Sequence, residues 1–482
     1  MRPKTRKPAE ISRKITVSPL TFCATLHILD AERESQGGDA MERFAMQKLL
    51  DWKEDPCRIP LIIRGARQVG KTWLMKEFGK RHFDKCAYIN FDHNKRMEQL
   101  FSGSFDVERI LRGLAVESDV EIGAEDTLII LDEIQEVPSA LQSLKYFCED
   151  ERHSYYIIAA GSLLGIAMHQ GTSFPVGKVD HMDLYPLSFS EFLAATGNGR
   201  LLQLLQEQDF EMMTAFKDRY IDLLKTYYYV GGMPAAVNAY AANGNLKNVR
   251  RIQRRLLSDY EQDFSKHAPA SVVPRIHMVW DGIPSQLAKE NKKFIYSVLR
   301  EGARAKDFEL AIQWLSDCGL CHKVGRVTKG GIPLRAYRDI PAFKLYLVDV
   351  GLLAAMTDLD ARTLLSGNAI FTEFKGALTE QYVCQQLLAE LDRMPYYWSA
   401  GASTGEVDFV LQHSGQVIPL EVKAEENLNA KSLKSFVDTY QLRYGVRTSM
   451  SDYRRQEKLV NLPLYAISRL LEVCDSMAVT TT

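Results

Sequence analysis

From Pro60 onward the chain alternates short, unbroken apolar runs with stretches of helical period. PLIIRG, CAYINFD, TLIILDE and YYIIAAGS show no polar alternation, which predicts strands buried on both faces. KTWLMKEFGKRH, after the first of them, has the period of a helix. Such strands with helices between them predict an α/β domain with a parallel sheet, spanning 41–200. The strand pattern then stops. Residues 201–268 read as a helical lid, interrupted once at YYYVGGMPAAV. Residues 269–362 hold short helices, among them AKDFELAIQWLSDCGL, which ends at Gly319. CHKVGRV then turns through TKGGIP into PLRAYRD as a hairpin. Three helices and a two-stranded wing predict a winged-helix region, with KLYLVDVGLLAAM as its connector to the last unit. That unit, 363–482, reads as helix, three strands, helix and strand.

Composition changes this picture little. A chain of 482 residues should hold about two to four domains. It is 46% hydrophobic and 25% charged, with a net charge of −1, so no general affinity for nucleic acid follows, although one basic domain is compatible with it. No apolar run approaches the roughly 18 residues that a membrane span requires. The eight scattered cysteines fit a reducing cytoplasm better than a disulfide framework. Only Cys318 and Cys321 make a CxxC, read as packing at a helix end, with metal or redox work as the alternative. Residues 1–40 are first basic and then mildly apolar. They predict a disordered extension, with Met41 as a functional start.

The candidate chemistry lies between the first strand and its helix. GARQVGKT comprises Gly65, Ala66, Arg67, Gln68, Val69, Gly70, Lys71 and Thr72, and it satisfies G-x-x-x-x-G-K-[ST] in the context that pattern needs. Two glycines let backbone N–H groups converge on phosphate oxygens at a helix N-terminus. Lys71 would meet the β- and γ-phosphates of ATP, and the Thr72 hydroxyl would ligate Mg²⁺. LIILDE then places Asp132 and Glu133 at the end of a buried strand. Asp132 would hold Mg²⁺ through water, and Glu133 would orient or deprotonate the attacking water. Ser162, closing the next strand, is either a γ-phosphate sensor or the N-cap of LLGIAM.

A second set of acids sits near the C-terminus. In EVDFV and IPLEVK the two-residue period puts Glu406 and Asp408 on one face, and Glu421 and Lys423 likewise. If the strands pair, Asp408 and Glu421 can converge on a second divalent metal beside Lys423, with Glu380 of FKGALTEQYVCQQLL as a further acid. The bland alternative is a charged strand face. Four arginines, Arg250, Arg251, Arg254 and Arg255, make two i, i+4 pairs that read as a solvated face, a phosphate-sensing lid or a nucleic-acid contact.

Several stretches in one order carry a resemblance: RGARQVGKT, YINFD, LDEIQ, AAGSLLG, PVGKVDHMDLYPLSFSEF, YYYVGGMPAAV, LYLVDVGLL and EVDF…PLEVK. From Met41 onward the chain resembles a family of bacterial and archaeal ATP-binding proteins. These join an AAA-type P-loop ATPase, a winged helix and a domain of unknown function resembling the PD-(D/E)XK nuclease fold. The resemblance implies that Pro234 of GGMP packs on adenine, with Gly231 and Gly232 allowing close approach. Relatives often show arginine where this chain has Lys178, which leaves the arginine finger unplaced. Asp307, Glu309 and Asp317 make the winged helix's recognition helix acidic, which favours a structural or regulatory role over DNA contact. Two functions stand as expectations. One is a cytoplasmic Mg²⁺-dependent ATPase whose nucleotide state controls the winged-helix and nuclease-like half, acting on nucleic acid. The other is a nucleotide-switched module, homo-oligomeric or not, that binds a protein partner through an inactive nuclease-like domain.

Overall fold

The computed structural model describes residues 42–482 apart from 151, 153, 163, 168–173, 290–292, 367–371, 401–404, 427–428 and 480–482. The expectations for residues 1–40 and for Met41 lie outside the described residues. Strands β1 (Leu61–Arg64), β2 (Lys85–Asn90), β3 (Thr127–Asp132), β4 (Tyr156–Ala160) and β5 (Asp180–Asp183) form a sheet in the order β2-β3-β4-β1-β5. Every pairing in it is parallel. All six residues of β3 are buried, as a strand covered on both faces requires. Four strands match the apolar runs; β5 does not. Its sequence, DHMD, buries only Met182, and an edge strand can leave its charges in solvent.

The helical segment consists of Gly199–Gln206, Phe210–Ala215, Lys217–Val230, Pro234–Asn243 and Leu246–His267. The break expected at GGMP is there: Gly231 adopts φ 71°, and Pro234 opens the next helix. A Cβ on Gly232 would lie 2.0 Å from the Leu187 carbonyl oxygen, so only glycine fits.

The following region departs from expectation in two ways. Among the described residues, helices Val273–Leu287 and Ala305–Asp317 flank a 3₁₀ turn, Tyr296–Val298, rather than a third α-helix. The hairpin pairs β6 (Cys321–Val327) with β7 (Arg338–Leu347), and Leu334–Tyr337 is a 3₁₀ turn rather than strand. The return strand therefore begins only at the last two residues of PLRAYRD and consumes KLYL, which reads as connector in sequence. Its end is buried from Ala342 to Leu347, Lys344 included.

That hairpin does not stand apart. β6 pairs in parallel with β8 (Tyr396–Ser399), joining β9 (Glu406–His413), β10 (Gln416–Val422), β11 (Gly445–Ser449), β12 (Arg454–Arg455) and β13 (Leu459–Pro463). The result is one eight-stranded sheet ordered β12-β13-β11-β10-β9-β8-β6-β7. Helix Lys431–Thr439 packs Leu433, Phe436 and Val437 against Val327, Val407 and Val410. No helix among the described residues is long and apolar enough to cross a membrane.

Candidate functional site

β1 delivers the chain into the glycine loop, and helix Lys71–His82 leaves it. Gly65 has φ 147°, and a Cβ there would lie 2.2 Å from the Leu184 carbonyl oxygen. Gly70, at φ 96°, occupies the left-handed region at the helix start. Ala66 and Val69 are buried. The Lys71 ammonium donates to the Gly65 and Ala66 carbonyls at 2.9 and 3.0 Å. Burial pulls its pKa down to about 8, against the opposing pull of the Glu133 and Asp132 charges. The Thr72 hydroxyl donates to Asp132 Oδ2 at 2.7 Å, and Tyr88 OH donates to the same oxygen at 3.0 Å. A hydroxyl and a carboxylate held that close fit the Mg²⁺ that accompanies ATP.

Glu133 follows β3 at φ 53°, an uncommon backbone state for a non-glycine residue. Its Oε2 accepts from Gln135 Nε2 at 2.6 Å and from the Ser162 N–H and hydroxyl at 3.2 and 3.1 Å. Ser162 thus holds the carboxylate, a contact that neither of its sequence-based roles includes. Gln135 is legible only afterwards, as the Q of LDEIQ.

Arg43 gives no signal in the sequence. Its buried guanidinium donates to Val69 O at 3.0 Å, Tyr185 O at 2.7 Å and Glu191 Oε1 at 3.0 Å, bracing the loop from behind. A Cβ on Gly70 would lie 3.6 Å from both Arg43 Nη1 and Pro234 Cγ, so the GGMP proline does reach the loop.

The same turn is gripped from the far half of the chain. Asp349, fully buried at the end of β7, accepts from the Gly232 N–H at 2.6 Å and from the Leu352 N–H at 2.9 Å. Gln385 Nε2 donates to it at 3.2 Å and to Tyr227 OH at 3.0 Å. Burial pushes the Asp349 carboxyl up to about 6, with the two N–H groups and Gln385 opposing. The folded chain therefore binds a proton there before the unfolded chain does. The stability attached to that proton is full below the ordinary carboxylate value and is lost as pH rises through about 6. Asp349→Asn should flatten this stretch of the melting-temperature profile; an unchanged slope would acquit Asp349 as its source.

Other sequence candidates land elsewhere. Lys178 pairs with Glu149 at 3.0 Å and precedes β5 at its Leu61 end, the sheet edge opposite the loop. Arg250 is buried over the Tyr229 ring and donates to Leu359 O at 2.7 Å, and Arg254 meets Asp358 at 2.8 Å. Arg250 thus leaves the solvated face, whereas Arg251, Arg254 and Arg255 remain exposed on it. Helix Ala305–Asp317 buries Phe308, Ile312, Trp314 and Leu315, with Trp314 edge-on to Phe264 of the lid. Its end abuts the phosphate loop: a Cβ on Gly319 would lie 3.0 Å from Ala66 N. Cys318 and Cys321 are buried free thiols whose pKa values burial raises, which suits packing.

At the C-terminus β9 and β10 pair antiparallel, with Phe409 opposite Leu420, so the predicted faces coincide. The charges there are already balanced from within. Lys344, wholly buried on β7, reaches across to an ion pair with Glu406 and lies 3.7 Å from Glu380. Lys423 pairs with Glu421 at 2.7 Å, and Arg447 stands beside Glu421 in the β10–β11 register. Asp408 Oδ2 accepts from the Val422 N–H at 2.8 Å. Burial holds the Glu421 carboxyl above its usual range, chiefly against Lys423. Its Oε2 is buried without a hydrogen-bond partner among the described residues. This set does not fit a divalent ion. The charge such an ion would bring is supplied by Lys344 and Lys423. Among the described residues, no three His, Cys, Asp or Glu side chains converge as metal ligands. The second metal expected at Asp408 and Glu421, with Glu380, is therefore not shown among the described residues.

Three family models match parts of the chain. Residues 58–193 match the family described as an AAA domain. Residues 221–363 match a domain of unknown function, DUF8612, and residues 375–467 match another, DUF4143. No curated protein matches the chain. Among solved structures, the Orc1 protein of Aeropyrum pernix in complex with DNA is 12% identical, covering 67% of this chain and 93% of that one at TM-score 0.25. Cdc6p from Pyrobaculum aerophilum is 11% identical, covering 69% and 97% at TM-score 0.24. Scores this low carry nothing about shared ligands. The AAA match makes 58–193 a P-loop domain of the ATPase type, a class that uses ATP and Mg²⁺.

Proposed function

We propose that this chain is a Mg²⁺-dependent ATPase whose nucleotide state is passed to a C-terminal half that binds a partner without cutting it. The observation that carries the first part is the meeting of Lys71, Thr72, Asp132 and Glu133 where β1 and β3 end. Backbone N–H groups from Gly65 to Gly70 would cradle the phosphates. Lys71 would exchange its loop carbonyls for the β- and γ-phosphates. Thr72 and Asp132 would hold Mg²⁺, which neutralises charge on the transferring group. Glu133, freed from Ser162 and Gln135, would orient the water, and Pro234 would lie against the base.

The second part rests on Asp349 and Lys344, five residues apart on one segment. Asp349 grips the GGMP turn beside the phosphate loop; Lys344 neutralises the acids of a nuclease-like sheet. Domains 269–362 and 363–482 then act as a winged-helix-like connector and a PD-(D/E)XK-like binding domain. Lys344 favours the reading without cleavage. Free thiols at the seven described cysteines agree with a cytoplasmic setting. Partner identity, protein or nucleic acid, and self-assembly stay with this proposal.

The full-length protein is tested for ATP turnover with Mg²⁺ and with EDTA, then with labelled DNA and RNA plus Mn²⁺. Mg²⁺-dependent turnover with intact strands is expected. Strand cleavage that disappears in Asp408→Ala would defeat the non-cutting reading, and absent turnover would defeat the ATPase reading.

A further inference from the structure

Arg67 sits between the two glycines of the phosphate loop yet turns toward helix Leu246–His267. Its Nη1 donates to Asp263 Oδ1 at 2.5 Å, while its carbonyl accepts from Tyr260 OH at 2.8 Å. The next residue repeats the contact: Gln68 Nε2 donates to Asp259 Oδ2 at 3.1 Å. Asp259, Tyr260 and Asp263 lie at i, i+1 and i+4, so one stretch of helix holds two successive loop residues. Asp263 is mostly covered, but the Arg67 side chain is 48% exposed. The Glu133 charge also raises the Arg67 pKa, so the guanidinium lies within electrostatic reach of the group that would face the attacking water.

ATP hydrolysis needs a cation at the γ-phosphate, where charge spreads over three equatorial oxygens. Lys178 pairs with Glu149 at the opposite sheet edge, Arg250 is buried against Leu359, and Arg43 bonds Val69 O, while Arg251, Arg254 and Arg255 are exposed on the lid helix rather than carried by the loop. Arg67 is carried by the backbone that would cradle the phosphates. Its position in the loop and its half-exposed side chain leave it free to turn from Asp263 without help from a second subunit. We propose that Arg67 is the γ-phosphate arginine of this ATPase, acting in cis, and that Asp263 holds it away until a triphosphate arrives. The proposal rests on the ATPase reading above. In the step it serves, the water oxygen bonds to the γ-phosphorus as the bond to the β–γ bridging oxygen breaks. The electron pair leaves on ADP, and the water's proton passes through Glu133 to the released phosphate.

The exchange is favourable on simple grounds. A half-exposed ion pair is weakly held, whereas triphosphate oxygens offer a guanidinium two parallel charge-assisted bonds. Releasing Asp263 also loosens the lid helix from the loop, so the lid would respond to the γ-phosphate and not to ADP.

The test measures Mg²⁺-ADP and Mg²⁺-β,γ-imido-ATP affinity by calorimetry, with kcat, for full-length wild type, Arg67→Ala, Arg67→Lys and Asp263→Asn. Arg67→Ala should keep ADP affinity, lose the preference for the triphosphate, and lower kcat by on the order of 10³-fold. Arg67→Lys should recover only part of kcat, since an ammonium lacks the planar fork. Asp263→Asn should bind the triphosphate several-fold more tightly, with ADP affinity little changed. ADP binding is the control for folding; if Arg67→Ala loses it, Arg67→Lys decides by the same triphosphate-to-ADP ratio. An undiminished triphosphate preference in the deciding variant overturns the role of Arg67, and an unshifted Asp263→Asn overturns the latch. A wild type that binds neither nucleotide sinks the ATPase reading itself, a different result from either.

Discussion

Lys71→Ala is expected to abolish ATP binding, whereas Glu133→Gln is expected to keep it and lose turnover by on the order of 10²- to 10³-fold. The two residues lie close enough for Glu133 to oppose the burial shift of Lys71, yet their tasks differ. Lys71 is nearly enclosed, and its ammonium already bonds two loop carbonyls. Removing it withdraws the charge that phosphates need and leaves those carbonyls without their donor. Glu133 has its oxygen held by Ser162 and Gln135 rather than by a loop carbonyl. An amide of the same shape can keep that frame but cannot take a proton from water. Calorimetry with Mg²⁺-ATP and a phosphate-release assay separate the cases. Equal loss of affinity in both variants would contradict the assigned division of labour.

How much of this is legible in the sequence depends on how local each feature is. Gly65, Gly70, Lys71 and Thr72 act through one turn of backbone, so their spacing alone reports the loop. Asp132 and Glu133 are legible because a buried apolar run ends at them. Asp349 and Lys344 are single polar residues among apolar neighbours, and Arg43 and Arg447 stand in no pattern that marks them. Their partners lie far off in the chain, and no period reports a contact such as Lys344 with Glu406. Strand β5 is missed because an edge tolerates Asp180 and Asp183 where a central strand would not. KLYL reads as a connector because its lysine and the following Asp349 look like solvent-facing breaks, although both are buried. The metal expectation is left without support for the same reason. The two-residue period correctly puts acids on one face, but it cannot say which cation from another strand already serves them.

That cation supplies the second large effect. Lys344→Met is expected to destabilise the fold by about 3–5 kcal/mol, the usual cost of stranding buried charge. Methionine matches the length of the lysine stem, so the loss is electrostatic rather than a cavity. Without the ammonium, Glu406 and Glu380 face one another beside Glu421, whose carboxyl burial already holds above its ordinary range. Like charges then crowd together, and taking up a proton relieves them. Stability attached to a raised carboxyl is present below its unfolded value and lost as pH rises, so acidification should narrow the gap between variant and wild type. Melting curves across the acidic range read this directly, and a gap that does not narrow would show that Lys344 matters for packing alone. Mn²⁺ supplies a second readout. The wild type, with its internal ammonium, should gain no stability at this site, whereas the variant offers an uncompensated pocket of hard oxygens. With the Thr72→Ala change made in both proteins to silence the ATPase site, Mn²⁺ should therefore raise the melting temperature of Lys344→Met only. Stabilisation of both proteins would mean that the acids take a metal in spite of Lys344, and would restore the metal-site reading of the C-terminal acids.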